Sequence, residues 1–140
     1  AKPGGARLLC GGKRPDEDEL RGGFFVQPTI FGNVLSDMRL AREEVFGPIL
    51  AVFRWHDEDQ LFAEVNGTDF GLTAAIWTSN LMTAHRAAAR VEAGYVWING
   101  SSNHILGAPF GGYKRSGLGR EESKDEMFEF THLKNINVSL

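Results

Sequence analysis

The sequence predicts an α/β fold in which helices cover a parallel-rich sheet, and two observations lead to it. Three short segments, "ILAVFRW" at 49–55, "LTAAIWT" at 72–78 and "YVWIN" at 95–99, are apolar almost throughout. Runs of this length and composition are typical of strands buried on both faces. Segments with helical periodicity separate them, so the order β-α-β-α-β favours parallel pairing through crossover helices.

Shorter elements precede this alternating region. Residues 6–10 predict a strand that ends at a Gly-Gly pair, and residues 24–31 predict an extended segment. Pro28 cannot donate to a sheet ladder, so this segment is expected at an edge or a bulge. Residues 36–42 predict a short helical turn that leads into "EEVFGP".

The two helices between the apolar strands carry recognisable start signals. Asp57 with Gln60 forms a capping-box pattern at the first helix. Ser79 or Asn80 is expected to cap the second helix. His85 falls on the apolar side of that second helix and is predicted to be a hydrogen-bonded core residue.

The pattern changes after residue 99. Residues 100–120 contain six glycines and predict a long loop with a functional or packing role. Within it, "GGYKRSGLG" lacks the ending of a phosphate-binding loop, so turns and close backbone packing are predicted instead. Ser123 with Glu126 predicts a helix to about residue 131. The alternation in "NINVSL" predicts a final strand, whose partner is expected in another subunit or outside this chain.

Composition narrows the classes of partner. The 140 residues suit one domain, and a formal net charge of -3 with a pI of about 5.8 does not favour nucleic acid. No apolar run approaches the roughly 20 residues that span a bilayer, so no membrane association is expected. The single cysteine, Cys10, favours a reducing, cytoplasmic location and is predicted to be a small buried side chain. The four histidines lack metal-ligand spacing, so no metal site is predicted.

Two places in the sequence are candidates for binding chemistry. In "EEVFGP", Glu43 and Glu44 are adjacent, so in an extended segment only one of them faces a given pocket. A carboxylate can accept two hydrogen bonds from a vicinal diol, and Phe46 could pack against a flat heterocycle. A solvated acidic loop is the alternative interpretation of the same residues. His104 is the second candidate, because it lies in the long loop, where binding residues often occur.

Taken together, several motifs resemble the C-terminal part of the NAD(P)-dependent aldehyde dehydrogenases over almost the whole chain. The matching stretches, in order, are "LLCGG", "GFFVQPTI", "EEVFGPIL", "NGTDFGLTAAIWT", "AGYVWING", "PFGGYKRSGLGRE" and "LKNINVSL". The resemblance implies NAD or NADP as cofactor. It also implies that Glu44 hydrogen-bonds the nicotinamide ribose, that Phe46 lies beside the nicotinamide, and that Leu72 approaches the same end.

The resemblance also implies a substrate site in the long loop. Phe110 would line the aldehyde tunnel near the reacting carbon. Ser102, Asn103 and His104 fall where family members vary to select their substrates. All three are polar, so we expect a small-molecule aldehyde that carries a polar or hydrogen-bonding group.

The same resemblance implies that this chain is one part of a larger enzyme. Residues 1–132 would form the C-terminal part of the catalytic domain, and residues 133–140 an oligomerisation strand of a homodimer or homotetramer. The family's nucleophilic cysteine and general-base glutamate lie upstream of the matching region, so no catalytic residue is expected here and the chain alone should be inactive. The complete enzyme would oxidise an aldehyde to a carboxylic acid (EC 1.2.1 type). A CoA-acylating aldehyde dehydrogenase and a non-catalytic α/β assembly module are the alternatives.

Overall fold

The computed structural model describes residues 4–140 and divides into two compact units. The first unit extends to Glu64, and the second begins at Val65. None of the helices in the described part of the chain is long and apolar enough to cross a membrane.

The first unit is built on a three-stranded mixed sheet. Strand β1 (Arg7–Cys10) pairs antiparallel with β2 (Thr29–Gly32), and β3 (Ile49–Ala51) pairs parallel with β2. A 3₁₀ turn at Asp18–Leu20 lies between β1 and β2, and helix α1 (Arg39–Arg42) lies between β2 and β3. The buried core of this unit consists of Ala6, Phe31 and Val34.

The second unit contains a β-α-β crossover and a separate two-stranded ladder. Strand β5 (Thr73–Ile76) pairs in parallel with β6 (Tyr95–Ile98), and helix α3 (Leu81–Arg90) connects them. Strand β4 (Phe70–Gly71) pairs antiparallel with β7 (Tyr113–Lys114), and a short helix α4 (Lys124–Glu129) follows β7. Helix α2 (Glu58–Asn66) ends within this unit.

The predicted helix starts are confirmed. The Asp57 carboxylate accepts the Gln60 N–H at 2.8 Å at the start of α2. Of the two candidate caps for α3, the structure selects Asn80, whose side chain accepts the Thr83 N–H at 3.0 Å. These bonds satisfy backbone donors that a helix start leaves unpaired.

The predicted parallel sheet is only partly correct. The strands form three small sheets, two of the four strand pairs are antiparallel, and the strands are shorter than the apolar runs that predicted them. No residue of β3, β5 or β6 is fully buried. A strand is buried on both faces only where a layer covers each face, and in the second unit α3 is the helix that packs on β5 and β6.

Two burial predictions for single residues are wrong. Cys10 is exposed, with its sulfur 4.0 Å from the Pro28 carbonyl oxygen, because the register of β1 shifts between Leu8 and Cys10. His85 is also exposed. The buried position on α3 is Ala84, and an α-helix turns about 100° from one residue to the next.

The glycine-rich region forms turns and close backbone contacts, as predicted. A side chain at Gly94 would overlap the carbonyl oxygen of Gly111, and one at Gly111 would overlap that of Gly119. The loop is less irregular than predicted, because it contains β7 and a two-residue bridge between Phe110 and Glu121.

The predicted terminal strand at 133–140 is not formed within this chain. All eight residues are exposed, and none is assigned to a helix or strand. A strand requires a partner ladder, and within residues 4–140 this segment pairs with none.

Candidate functional site

The "EEVFGP" segment connects α1 to β3 in the first unit. The Gly47 N–H donates to the Val45 carbonyl at 2.7 Å, and the Ile49 N–H donates to the Gly47 carbonyl at 2.8 Å, so the chain turns tightly here. The Pro48 carbonyl accepts the Thr29 N–H at 2.9 Å. This bond anchors the end of the segment to β2.

The two adjacent glutamates have different environments. Glu43 receives two hydrogen bonds from Arg39, Nε to Oε1 at 2.8 Å and Nη2 to Oε2 at 2.5 Å. The hydrogen bonding by Arg39 lowers the pKa of the Glu43 carboxyl. Glu44 is exposed and makes no hydrogen bond or ion pair within the described residues. Of the two carboxylates, that of Glu44 is therefore the one without a protein partner among the described residues.

The side chains of the other two predicted cofactor contacts are also exposed to solvent. Phe46 is 95% exposed, so one whole aromatic face is open to packing. Leu72 belongs to the second unit, between β4 and β5, where its carbonyl accepts the Tyr95 N–H at 3.1 Å. Its side chain is 41% exposed. Glu44 and Phe46 thus lie in one unit and Leu72 in the other.

The second unit contains a cluster of four rings, which we call the aromatic cluster. Its members are Tyr95, Trp97, His104 and Phe110. Neighbouring ring centroids are between 4.6 and 5.9 Å apart. Rings at these distances are in mutual contact. The cluster therefore joins β6 to the long loop, and it brings together two of the predicted substrate residues, His104 and Phe110.

Glu122 also contacts His104, and the sequence did not predict this contact. The Nδ1 atom of His104 lies 2.7 Å from Oε1 of Glu122. The other carboxylate oxygen, Oε2, is buried and has no hydrogen-bond partner in the part of the chain that the structure describes. No spacing motif links positions 104 and 122, since the contact arises only when the long loop folds back.

The remaining two predicted substrate residues lie at the edge of this cluster. The Asn103 carbonyl accepts the indole N–H of Trp97 at 2.7 Å, which ties the loop to β6. Ser102 has a φ of 58°, a left-handed conformation that turns the chain before His104. Both side chains are exposed.

No metal centre is formed by the described residues. Within residues 4–140, no group of three or more His, Cys, Asp or Glu side chains is placed to hold an ion.

Comparison with known proteins identifies the family in which these motifs occur. The model of the aldehyde dehydrogenase family matches residues 1–136 of the chain. The chain belongs to the aldehyde dehydrogenase family. This confirms the resemblance inferred from "EEVFGP" and "PFGGYKRSG".

Curated relatives of this aldehyde dehydrogenase chain are similar over all or almost all of its length. It is 50% identical to the aldehyde dehydrogenase tropH of Talaromyces stipitatus, an alignment that covers 100% of this chain and 28% of that protein. It is 46% identical to a betaine aldehyde dehydrogenase of Bacillus subtilis, over 94% of this chain and 27% of that protein. The chain thus spans little more than a quarter of the length of these relatives.

Solved structures of the family confirm the α/β fold. Betaine aldehyde dehydrogenase from Staphylococcus aureus in complex with NAD+ superposes with a TM-score of 0.88 and 40% identity, covering 93% of this chain and 26% of that one. An aldehyde dehydrogenase of Mycobacterium tuberculosis complexed with NAD+ gives a TM-score of 0.87 and 39% identity, covering 94% of this chain and 26% of that one.

Proposed function

We propose that the complete protein containing this chain oxidises an aldehyde to a carboxylic acid with NAD+ or NADP+. In this proposal the chain is the C-terminal part of the catalytic domain, and it contributes contacts to the cofactor and to the substrate. Membership of the aldehyde dehydrogenase family supports the reaction class. Two related solved structures are complexes with NAD+, which supports a nicotinamide dinucleotide as the cofactor.

The observation that carries the cofactor assignment is the unpaired Glu44 carboxylate, two positions before the exposed ring of Phe46. Glu43 is held by Arg39, whereas Glu44 has no partner among the described residues. A carboxylate suits the two hydroxyls of a ribose, and an exposed aromatic face suits a flat ring. We assign Glu44 to the nicotinamide ribose, and Phe46 and Leu72 to the nicotinamide end. The cofactor, when bound, supplies the hydride acceptor.

The substrate assignment uses the second unit. Phe110 and His104 present an aromatic ring and an imidazole in direct contact, with centroids 4.6 Å apart. Ser102 and Asn103 supply further exposed polar groups in the same loop. We infer an aldehyde that carries a polar group. Betaine aldehyde is one compound to test, because two relatives are named for it.

No residue of this chain is assigned as nucleophile or general base. Cys10 belongs to β1 of the first unit, and its sulfur has no basic hydrogen-bond partner among the described residues. The nucleophilic cysteine and the general-base glutamate are therefore assigned to residues outside this chain. We expect the chain by itself to be inactive.

Residues 133–140 are assigned to subunit assembly. Ile136, Val138 and Leu140 alternate along the segment and are all largely exposed. An alternating apolar row on an unpaired segment is suited to adding a strand to another chain. We propose a homodimer or homotetramer that uses this segment.

Cytoplasmic location also remains a prediction, which cell fractionation would test.

The decisive experiment is a product assay on the complete protein. We expect reduction of NAD+ or NADP+ to depend on an added aldehyde and to yield the free carboxylic acid without CoA. Acyl-CoA formed only in the presence of CoA would favour a CoA-acylating enzyme instead. Failure of a panel of aliphatic, aromatic and betaine aldehydes to reduce either cofactor would contradict the proposal and favour a non-catalytic assembly module.

A further inference from the structure

The contact between His104 and Glu122 determines which ring nitrogen carries the proton. Nδ1 of His104 lies 2.7 Å from Oε1 of Glu122. An ionised carboxylate can only accept hydrogen bonds, so with Glu122 ionised Nδ1 is the donor and carries the proton. The opposite nitrogen, Nε2, has no hydrogen-bond partner within residues 4–140.

The ring of His104 is also held by packing. Its centroid lies 4.6 Å from that of Phe110, 5.7 Å from that of Tyr95 and 5.9 Å from that of Trp97. The side chain is nevertheless 37% exposed. The imidazole therefore has a defined orientation, while more than a third of the side chain remains exposed and Nε2 has no hydrogen-bond partner among the described residues.

Glu122 is itself fixed in place, at an energetic cost. Its N–H donates to Oε2 of Glu126 at 2.8 Å, and its carbonyl accepts the Gly107 N–H at 2.8 Å. Its φ of 61° is in the left-handed region that glycine favours. Its second carboxylate oxygen is buried without a partner among the described residues. Strain and an unpaired buried oxygen are more common where a side chain has a functional role.

We propose that Glu122 is a positioning residue that orients His104 so that Nε2 hydrogen-bonds a hydroxyl group of the substrate aldehyde. This inference rests on the proposed assignment of His104 and Phe110 to the substrate site. It narrows the polar aldehyde of that proposal to the class of hydroxyl-bearing aldehydes.

A hydroxyl is the group that suits Nε2 best. When the ring is neutral and Nδ1 carries the proton, Nε2 is an acceptor and requires a donor. When the ring is protonated, Nε2 becomes a donor and requires an acceptor. A hydroxyl can act in both ways, whereas an ether or a carboxylate can only accept. The neighbouring ring of Phe110 suits the apolar part of the same substrate.

The test compares two aldehydes of similar size on the complete protein, 3-hydroxybenzaldehyde and 3-methylbenzaldehyde. We expect the wild type to favour the hydroxyl compound in kcat/KM by about 3- to 10-fold, the range of one hydrogen bond. The preference should arise mainly from KM. It should fall to about 1 in His104→Phe, which keeps the ring packing, and in Glu122→Leu.

Three further variants separate positioning from a general structural role. Glu122→Gln keeps an oxygen that can accept from Nδ1, so it should retain most of the preference. Glu121→Leu removes a carboxylate from the adjacent, exposed position and should leave the preference unchanged. The double variant with His104→Phe and Glu122→Leu should match His104→Phe alone. A wild-type preference near 1, or an undiminished preference in Glu122→Leu, would overturn the inference.

A spectroscopic measurement decides the inference independently of turnover. Nitrogen-15 NMR of the histidine ring at pH 8 should show His104 with its proton on Nδ1 and a bare Nε2. The opposite tautomer would overturn the inference even if aldehyde oxidation is normal. Absence of aldehyde oxidation with the expected tautomer would instead contradict the proposed function. This measurement uses the wild type, so it tests the inference even if Glu122→Leu fails to fold.

Discussion

At the scale of single residues, Glu44 is the position on which the cofactor assignment depends. In the complete enzyme, Glu44→Gln keeps the shape of the side chain but loses its charge. Hydrogen bonds to a charged acceptor contribute about 1.5–3 kcal/mol. We therefore expect hydride transfer, measured as single-turnover reduction of the cofactor, to slow by about 10-fold or more.

The neighbouring glutamate supplies a matched control. Glu43→Gln makes the same chemical change one residue earlier, where the side chain is bound to Arg39 on the surface. Exposed ion pairs contribute little to stability, and Glu43 is not assigned to the cofactor. Single-turnover reduction should therefore remain close to that of the wild type. An equal effect in both variants, or none in Glu44→Gln, would contradict the ribose contact.

The ion pair between Arg39 and Glu43 predicts an acid-sensitive local contact. Hydrogen bonding by Arg39 lowers the pKa of Glu43 below its ordinary value of 4.5. Because the pKa is lowered on folding, the contribution of the pair is present above that ordinary value and is lost as pH falls through the lowered pKa. Carbon-13 NMR of the Glu43 carboxyl should show a midpoint below 4.5, which Arg39→Gln should raise. A midpoint that does not change in Arg39→Gln would show that the contact is absent in solution.

At the scale of elements, the start of β6 depends on a glycine. The Gly94 N–H donates to the Gly71 carbonyl at 3.0 Å, and a Cβ at position 94 would overlap the Gly111 carbonyl oxygen. Gly94→Ala must therefore displace one of the two backbone segments. Overpacking typically costs about 1–3 kcal/mol, and we expect at least this loss in the free energy of unfolding of the complete protein, measured in urea.

Gly100 is the control for this substitution. It lies just after β6, and a Cβ there would meet nothing within 4 Å. Gly100→Ala should leave the free energy of unfolding within about 0.5 kcal/mol of the wild type, as is usual for surface substitutions. Similar stabilities for Gly94→Ala and Gly100→Ala would contradict the close packing of the backbone at β6.

Elements also differ in how well local sequence predicts them. The start of α3 at Asn80 was predictable, because an N-cap needs only a side-chain oxygen near the first turn. The end of β5 at Ile76 was not, because Trp77 continues the apolar run but is 68% exposed. Strand ends depend on the partner ladder, which lies about twenty residues further along the chain.

At the scale of the whole molecule, the 140-residue chain leaves much apolar surface uncovered. Large apolar side chains are exposed in both units, including Phe24, Phe46, Leu118 and Leu133. Contiguous exposed apolar surface usually marks a contact with another chain or domain. We expect the chain expressed alone to self-associate, as measured by light scattering over a range of concentrations. Ile136→Lys should reduce this association if 133–140 contributes. A stable monomer at high concentration would contradict both expectations.

The sequence by itself determined the family and the candidate cofactor contacts. Motifs such as "EEVFGP" are contiguous, so the resemblance to the family could single out Glu44 and Phe46, whereas their spacing alone left a solvated acidic loop as the alternative. The tertiary structure decided which glutamate is unpaired, through the contact between Arg39 and Glu43, and it brought Glu122 to His104 across 18 positions. The physical reason is the sequence distance over which each kind of interaction acts. Caps and turns depend on neighbours in sequence, whereas ion pairs and ring contacts across loops depend on how distant segments pack.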